Sequence, residues 1–191
     1  HMPFWDREIE LAFLTHPQAD HLNGFLAVLQ RYKVLNFGIG IEGNETEGYK
    51  KLLELLKDNN VKVFNPYLGQ KIAFDDGISF DILWPYSEWV SRQVGEAPLR
   101  QGSAGQGAVL GAKTKTDLNS FSTVMLLKYK DFDLLLTGDA DSKIQDEILK
   151  SNDLGRVEVL KVPHHGSKTA FLDKFLETVK PSMAVISVGK N

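Results

Sequence analysis

Apolar runs of changing period alternate along this chain, and polar clusters sit where the runs end. Residues 9–14 are apolar at Ile9, Leu11 and Phe13 and also at Ala12 and Leu14, the pattern of a strand buried on both faces. After the polar stretch at 15–21, Leu22, Phe25, Leu26, Leu29 and Tyr32 recur at helical spacing, which predicts a helix over 20–32 with Asp20 placed to cap it. Residues 34–39 read as a second strand. Residues 45–59 follow as a helix with Tyr49, Leu52, Leu53, Leu55 and Leu56 inward and Asn59-Asn60 at its end. A short third strand at 61–64 completes a strand, helix, strand, helix, strand order, which points to parallel pairing.

The texture then changes. Residues 71–84 predict a β-hairpin turning at Asp75-Asp76-Gly77. Residues 85–118 carry Gly95, Gly102, Gly105, Gly107 and Gly111 among small and polar residues and predict one long loop, flexible at its centre. Its Arg92, Arg100, Lys113 and Lys115 outnumber Glu96 and Asp117, so it reads either as a substrate-side flap or as a plain insertion. Strands at 123–129 and 132–137 form a second hairpin. A helix over 143–150 capped by Ser142, a buried strand at 157–162, a helix at 171–179 and a last strand at 183–188 complete the α/β pattern of a single domain over 1–191.

Composition narrows the functional classes. At 191 residues, 42% apolar and 25% charged, the chain has the makeup of a globular domain with a full core. No run of about 18 apolar residues is present, so no spanning helix is expected in this stretch. The net charge of −3 argues against binding nucleic acid by bulk electrostatics, although a divalent site changes the local field. Without cysteine, any metal must be held by His, Asp, Glu or Asn.

Candidate chemistry lies in the polar clusters at the strand ends. Of five histidines, His1 belongs to a His1-Met2 pair that reads as a cloning scar, and the other four form two groups, His16 with His21 and His164 with His165. Residues 15–21 place His16, Asp20 and His21 at a strand-to-helix junction, where ligands gather in α/β folds. Imidazole nitrogen and carboxylate oxygen suit Zn²⁺ or Mn²⁺. Asp139, in Thr137-Gly138-Asp139-Ala140, and the His164-His165 pair, between Pro163 and Gly166, follow two further apolar strands. Taken singly, Asp20 would be a helix cap and Asp139 a turn residue. Three such clusters at strand ends favour one site.

Five motifs in order carry a resemblance. They are His-Pro-x-x-Asp-His-x-x-Gly (16–24), Asn-x-x-Ser (119–122), Leu-Leu-Thr-Gly-Asp-Ala (135–140), Val-Pro-His-His-Gly-Ser (162–167) and Ile-Ser-Val-Gly (186–189). Together they resemble the metallo-β-lactamase-like domain of the ComEC/Rec2 competence (DNA-uptake) family, nearly end to end. The resemblance implies an αβ/βα sandwich with a metal site at the edge between two sheets, and a metal-dependent phosphodiester hydrolase, a nuclease acting on DNA. It further implies a divalent cofactor, Mn²⁺ or Zn²⁺, one or two ions. Single-stranded DNA and a membrane channel would be the partners, on the extracytoplasmic face of the plasma membrane.

By the resemblance, His16, Asp20 and His21 match the superfamily's first motif and Asp139 its metal-bridging carboxylate. Gln18 stands where a second His is usual and Asn119 near the place of a third-motif His, so the first metal site is depleted of imidazole and softened toward Mn²⁺. The family's opening Asp-x-Gly-Gln-Gly and closing Asn-x-Tyr-Gly-His-Pro are not in the sequence, which reads as truncated at both ends. Counting donors then leaves about three at the better site, Asp20, His21 and Asp139, and predicts weak metal binding or none by this chain. His164 or His165 is either a ligand or the group that protonates the leaving oxygen. Two alternatives remain, a non-catalytic DNA-guiding scaffold and a small-molecule ester or lactone hydrolase.

Overall fold

The computed structural model describes residues 5–95, 108–168 and 170–189. The first half forms a three-stranded parallel sheet, β1 (Glu8–Leu14), β2 (Lys33–Ile39) and β3 (Lys62–Phe64), joined by helices α1 (Ala19–Arg31) and α2 (Glu47–Asp58). These elements form because their apolar positions share one side. Leu22 and Leu29 of α1 and Tyr49, Leu52 and Leu56 of α2 are buried against Leu14, Val34, Phe37 and Ile39 of the sheet. Thr46 caps α2 by accepting from the Tyr49 amide.

The second half is a six-stranded sheet in the order β4 (Lys71–Ala73), β5 (Ile78–Trp84), β6 (Val124–Tyr129), β7 (Phe132–Leu136), β8 (Val159–Lys161) and β9 (Met183–Val185). Pairing is antiparallel from β4 to β7 and parallel from β7 to β9. Helices α4 (Ser142–Ser151) and α5 (Asp173–Val179) cover its outer face, where Ile144, Ile148, Phe175 and Val179 pack with Trp84, Val124, Leu135 and Leu160. The inner faces meet where the Phe13 and Phe80 rings lie 5.9 Å apart. Gly38 pairs with Phe13 in the register, and a Cβ there would collide with that ring, so glycine is required by the close approach. The helix, sheet, sheet, helix layering is the expected αβ/βα sandwich.

Three expectations need correction. The expected loop over 85–118 contains a helix, α3 (Ser87–Val94), closed by Gly95 in the left-handed region. Tyr86, Trp89, Val90 and Val94 share its inner side with the buried Ser87 and Ser91, an apolar stripe shortened to two turns and followed by the glycines of the segment. Thr114 and Thr116 pin the far end of the segment to Gln93, and the expected flexible centre, 96–107, lies outside the described residues. Asp141, not Ser142, caps α4, because its carboxylate reaches the Lys143 and Ile144 amides. Asp20 does not cap α1; it lies in the first turn, and Gln18 holds the cap position without a side-chain bond.

Candidate metal centre

The centre is assembled from loops that follow β1, β7 and β8. Parallel pairing of β7 with β8, which sets Leu136 against Lys161, brings the Gly138-Asp139 turn beside the His164-His165 turn. The Thr123 amide donates to the Thr15 carbonyl at 2.9 Å, which draws the loop of the first sheet onto the second. Asp20, His21, Asp139 and His165 thereby offer four ligand atoms that all lie within 4.8 Å of one another.

Their separations test the fit to a metal. His21 Nε2 lies 3.2 Å from Asp139 Oδ2, 3.2 Å from His165 Nε2 and 3.7 Å from Asp20 Oδ2. His165 Nε2 lies 3.4 Å from both Asp20 Oδ2 and Asp139 Oδ2. A tetrahedron with metal bonds of about 2.1 Å has edges of about 3.4 Å, which these five separations match, and the remaining pair, Asp20 with Asp139, lies within 4.8 Å. The protons agree as well. His165 Nδ1 lies 2.7 Å from the Ser187 carbonyl, which can only accept, so Nδ1 carries the hydrogen and a neutral ring turns its Nε2 lone pair inward. The residues therefore fit a divalent ion held by two nitrogens and two carboxylates.

The backbone is bent to make this possible. His164 and His165 have φ of 45° and 52°, left-handed values that cost a β-carbon-bearing residue about 1–3 kcal/mol each and gather at functional sites. Gly138 has φ 51°, and a Cβ there would lie 2.9 Å from the Ser122 Cβ, so both conformation and crowding demand glycine. Ser122 is fully buried, and its Oγ accepts from the Asp139 amide at 3.0 Å while lying 3.1 Å from His16 Nδ1. Lys161 Nζ donates to the Gly138 carbonyl at 2.7 Å and stands 3.6 Å from Asp139 Oδ1. Burial raises the Asp139 carboxyl, but the His21 hydrogen bond and the His21, His16 and Lys161 charges outweigh it and hold the group well below the usual carboxylate range.

Not every expected residue joins the group. His16 is completely buried; its Nε2 meets Gln18 Oε1 at 3.3 Å, and its ring centroid lies 4.1 Å from that of His21. Burial first, then the His21 charge, lower its pKa to about 4. His164 is not among the four converging donors, and its ring centroid lies 6.5 Å from that of His165. Asn119 Oδ1 is buried without a hydrogen-bond partner. The count of about three donors is corrected to four, because the left-handed turn delivers His165. Ser122 and Lys161 were not among the expected site residues. Ser122 closes the Asn-x-x-Ser motif, and Lys161 is a charge inside an apolar strand, so both left a signal.

The centre opens to a cleft of about 380 Å³ lined by Phe13, Thr15, Asp20, His21, Phe80 and Lys161, among others. Phe13 and Phe80 also wall a second cleft that runs past Phe74 and Ile78, so the two share a boundary along the gap between the sheets. Among the described residues, no helix is long and apolar enough to cross a membrane.

Comparison with known proteins agrees with this architecture. The model of the Metallo-beta-lactamase superfamily matches residues 6–190. Recombination protein 2 of Haemophilus influenzae is 28% identical over 192 residues, covering 99% of this chain and 19% of that protein. ComE operon protein 3 of Bacillus subtilis is 24% identical over 185 residues, covering 97% of this chain and 20% of that protein. The chain thus spans about a fifth of the length of the curated relatives it matches.

Proposed function

The chain belongs to the metallo-beta-lactamase superfamily, and from that premise we propose that it is a metal-dependent hydrolase domain that cleaves DNA phosphodiesters during DNA uptake. The observation that carries the reading is the convergence of Asp20, His21, Asp139 and His165 at tetrahedral spacing. These four would hold Mn²⁺ or Zn²⁺, both of which accept mixed nitrogen and oxygen donors. A divalent ion there supplies Lewis-acid polarisation of a phosphoryl oxygen and lowers the pKa of a neighbouring water.

The chain's own groups do the rest. Asp139 and His165 are fixed by Ser122 and the Ser187 carbonyl, so the donors are held in place before substrate arrives. Of the histidine pair, His165 turns to the ion and His164, on the same strained turn, is left to deliver a proton to the leaving oxygen. The cleft at the centre offers the Phe13 and Phe80 rings for stacking a base, while the adjoining cleft, lined by Glu10, Asp75 and Asp76, repels a phosphate backbone, so a single strand would enter at the centre alone.

The resemblance carried by the five motifs is what supports a place beside a membrane channel for DNA, with the extracytoplasmic face as part of the proposal. Labelled single- and double-stranded oligonucleotides incubated with Mn²⁺, Zn²⁺ or Mg²⁺ test the activity. Mn²⁺-dependent cleavage of single strands, lost in Asp139→Asn, is expected; hydrolysis of a lactone or a phosphocholine ester with DNA left intact would sink the reading.

A further inference from the structure

We propose that the Lys161 ammonium takes the place of a second metal ion, so that the centre consists of one divalent ion and one fixed cation sharing the Asp139 carboxylate. This rests on the metal-centre reading above and adds to it the number of ions and the identity of the second positive charge.

The two oxygens of Asp139 face different partners. Oδ2 is directed at His21 and His165, at 3.2 and 3.4 Å. Oδ1 is buried, accepts no hydrogen bond, and has the Lys161 ammonium at 3.6 Å. A carboxylate oxygen withdrawn from water without a donor needs a nearby positive charge, and Lys161 supplies it. The ammonium is held in place, because Nζ donates to the Gly138 carbonyl at 2.7 Å and its stem rises from β8 between β7 and β9. A divalent ion on Oδ1 would share that oxygen with the ammonium, and Coulomb repulsion at such a range opposes its entry.

The side chains that could serve a second ion are turned to other work. His16 Nε2 meets Gln18 Oε1, and its Nδ1 lies 3.1 Å from both Thr15 Oγ1 and Ser122 Oγ. Gln18 thus ties up the imidazole that a second ion would use. Lysine at 161 then restores positive charge on the side of Asp139 that faces away from His21 and His165. By acting through Asp139 it is a positioning residue.

Calorimetric titration of Mn²⁺ into the full 191-residue chain and into Lys161→Arg and Lys161→Gln tests this. The native chain and Lys161→Arg, which keeps the charge, are expected to bind one ion per chain with similar affinity. Lys161→Gln keeps a donor for the Gly138 carbonyl but loses the repelling charge, and should bind Mn²⁺ roughly tenfold more tightly. A structural role alone would predict the opposite sign. Two ions in the native chain overturn the inference even if Lys161→Gln fails to fold, and so does a Lys161→Gln that binds no more tightly than the native chain; either result leaves the metal centre standing. No binding by any of the three removes the centre itself and this inference with it.

Discussion

His21 and His165 stand 144 residues apart in the chain, yet their Nε2 atoms lie 3.2 Å from each other. With the His165 lone pair turned inward and the Asp20 and Asp139 oxygens beside it, three electron-rich atoms gather around the His21 Nε2 hydrogen, and a divalent ion replacing that hydrogen would bind all four ligand atoms. Mn²⁺ or Zn²⁺ should therefore stabilise the fold. At a hundredfold excess over the dissociation constant the gain is about 2.7 kcal/mol, a rise in Tm of roughly 5–10 °C. Thermal melts with metal, and again after chelation, measure it; a Tm indifferent to both would contradict the convergence.

The two adjacent histidines should separate by assay. His165→Ala removes a donor, so metal affinity should fall by more than the roughly 10–100-fold seen when an outer-shell partner is lost. His164→Ala should leave affinity within about twofold while cleavage slows roughly 10²–10⁴-fold, the range of a general acid. Titration of both variants beside rate measurements decides; equal affinity losses would mean that the pair is not divided as the backbone divides it.

Ser122→Ala tests the support beneath Asp139. It leaves the buried Asp139 amide without its acceptor, at a cost of about 1–3 kcal/mol in stability, and loosens the carboxylate enough to weaken metal binding roughly 10–100-fold. Urea denaturation and metal titration read the two effects separately. Loss of stability with native affinity would show that Ser122 serves the fold alone.

Glu42 gives a pH dependence independent of the metal. Its carboxylate is buried beside Gly40, Oε1 has no hydrogen-bond partner, and burial pushes its pKa up from 4.5 to about 8. Between those values the folded chain holds a proton that the unfolded chain has released, so its contribution to stability is full below pH 4.5 and is lost as pH rises through about 8. Across that window the native chain should lose up to about 1.4 kcal/mol per pH unit relative to Glu42→Gln. Urea denaturation from pH 5 to 8 compares them; parallel curves would show that Glu42 is not neutral in the fold.

Much of this architecture was legible because the apolar runs carry their period openly. Leu22 and Leu29, or Leu52 and Leu56, announce helices that bury one face, and the clusters at 15–21, 137–140 and 163–167 mark strand ends by the abrupt return of polarity. Helix α3 carries helical apolar spacing at Tyr86, Trp89, Val90 and Val94, but it is only two turns long and the glycines that follow it masked the signal. The choice of Asp141 over Ser142 as cap turned on one residue of register between two good capping types. The division between His164 and His165 depends on two left-handed backbone conformations, which no side-chain pattern encodes. Lys161 was visible as a charge in an apolar strand, but its value lies in its distance from Asp139, which only the pairing of β7 with β8 sets.

The most direct measurement is anomalous scattering at the manganese edge from crystals of the chain grown with Mn²⁺. A single strong peak is expected, about 2.0–2.2 Å from His21 Nε2, His165 Nε2, Asp139 Oδ2 and Asp20 Oδ2. A peak centred on His16 or His164, or none at saturating Mn²⁺, would contradict the four-donor centre.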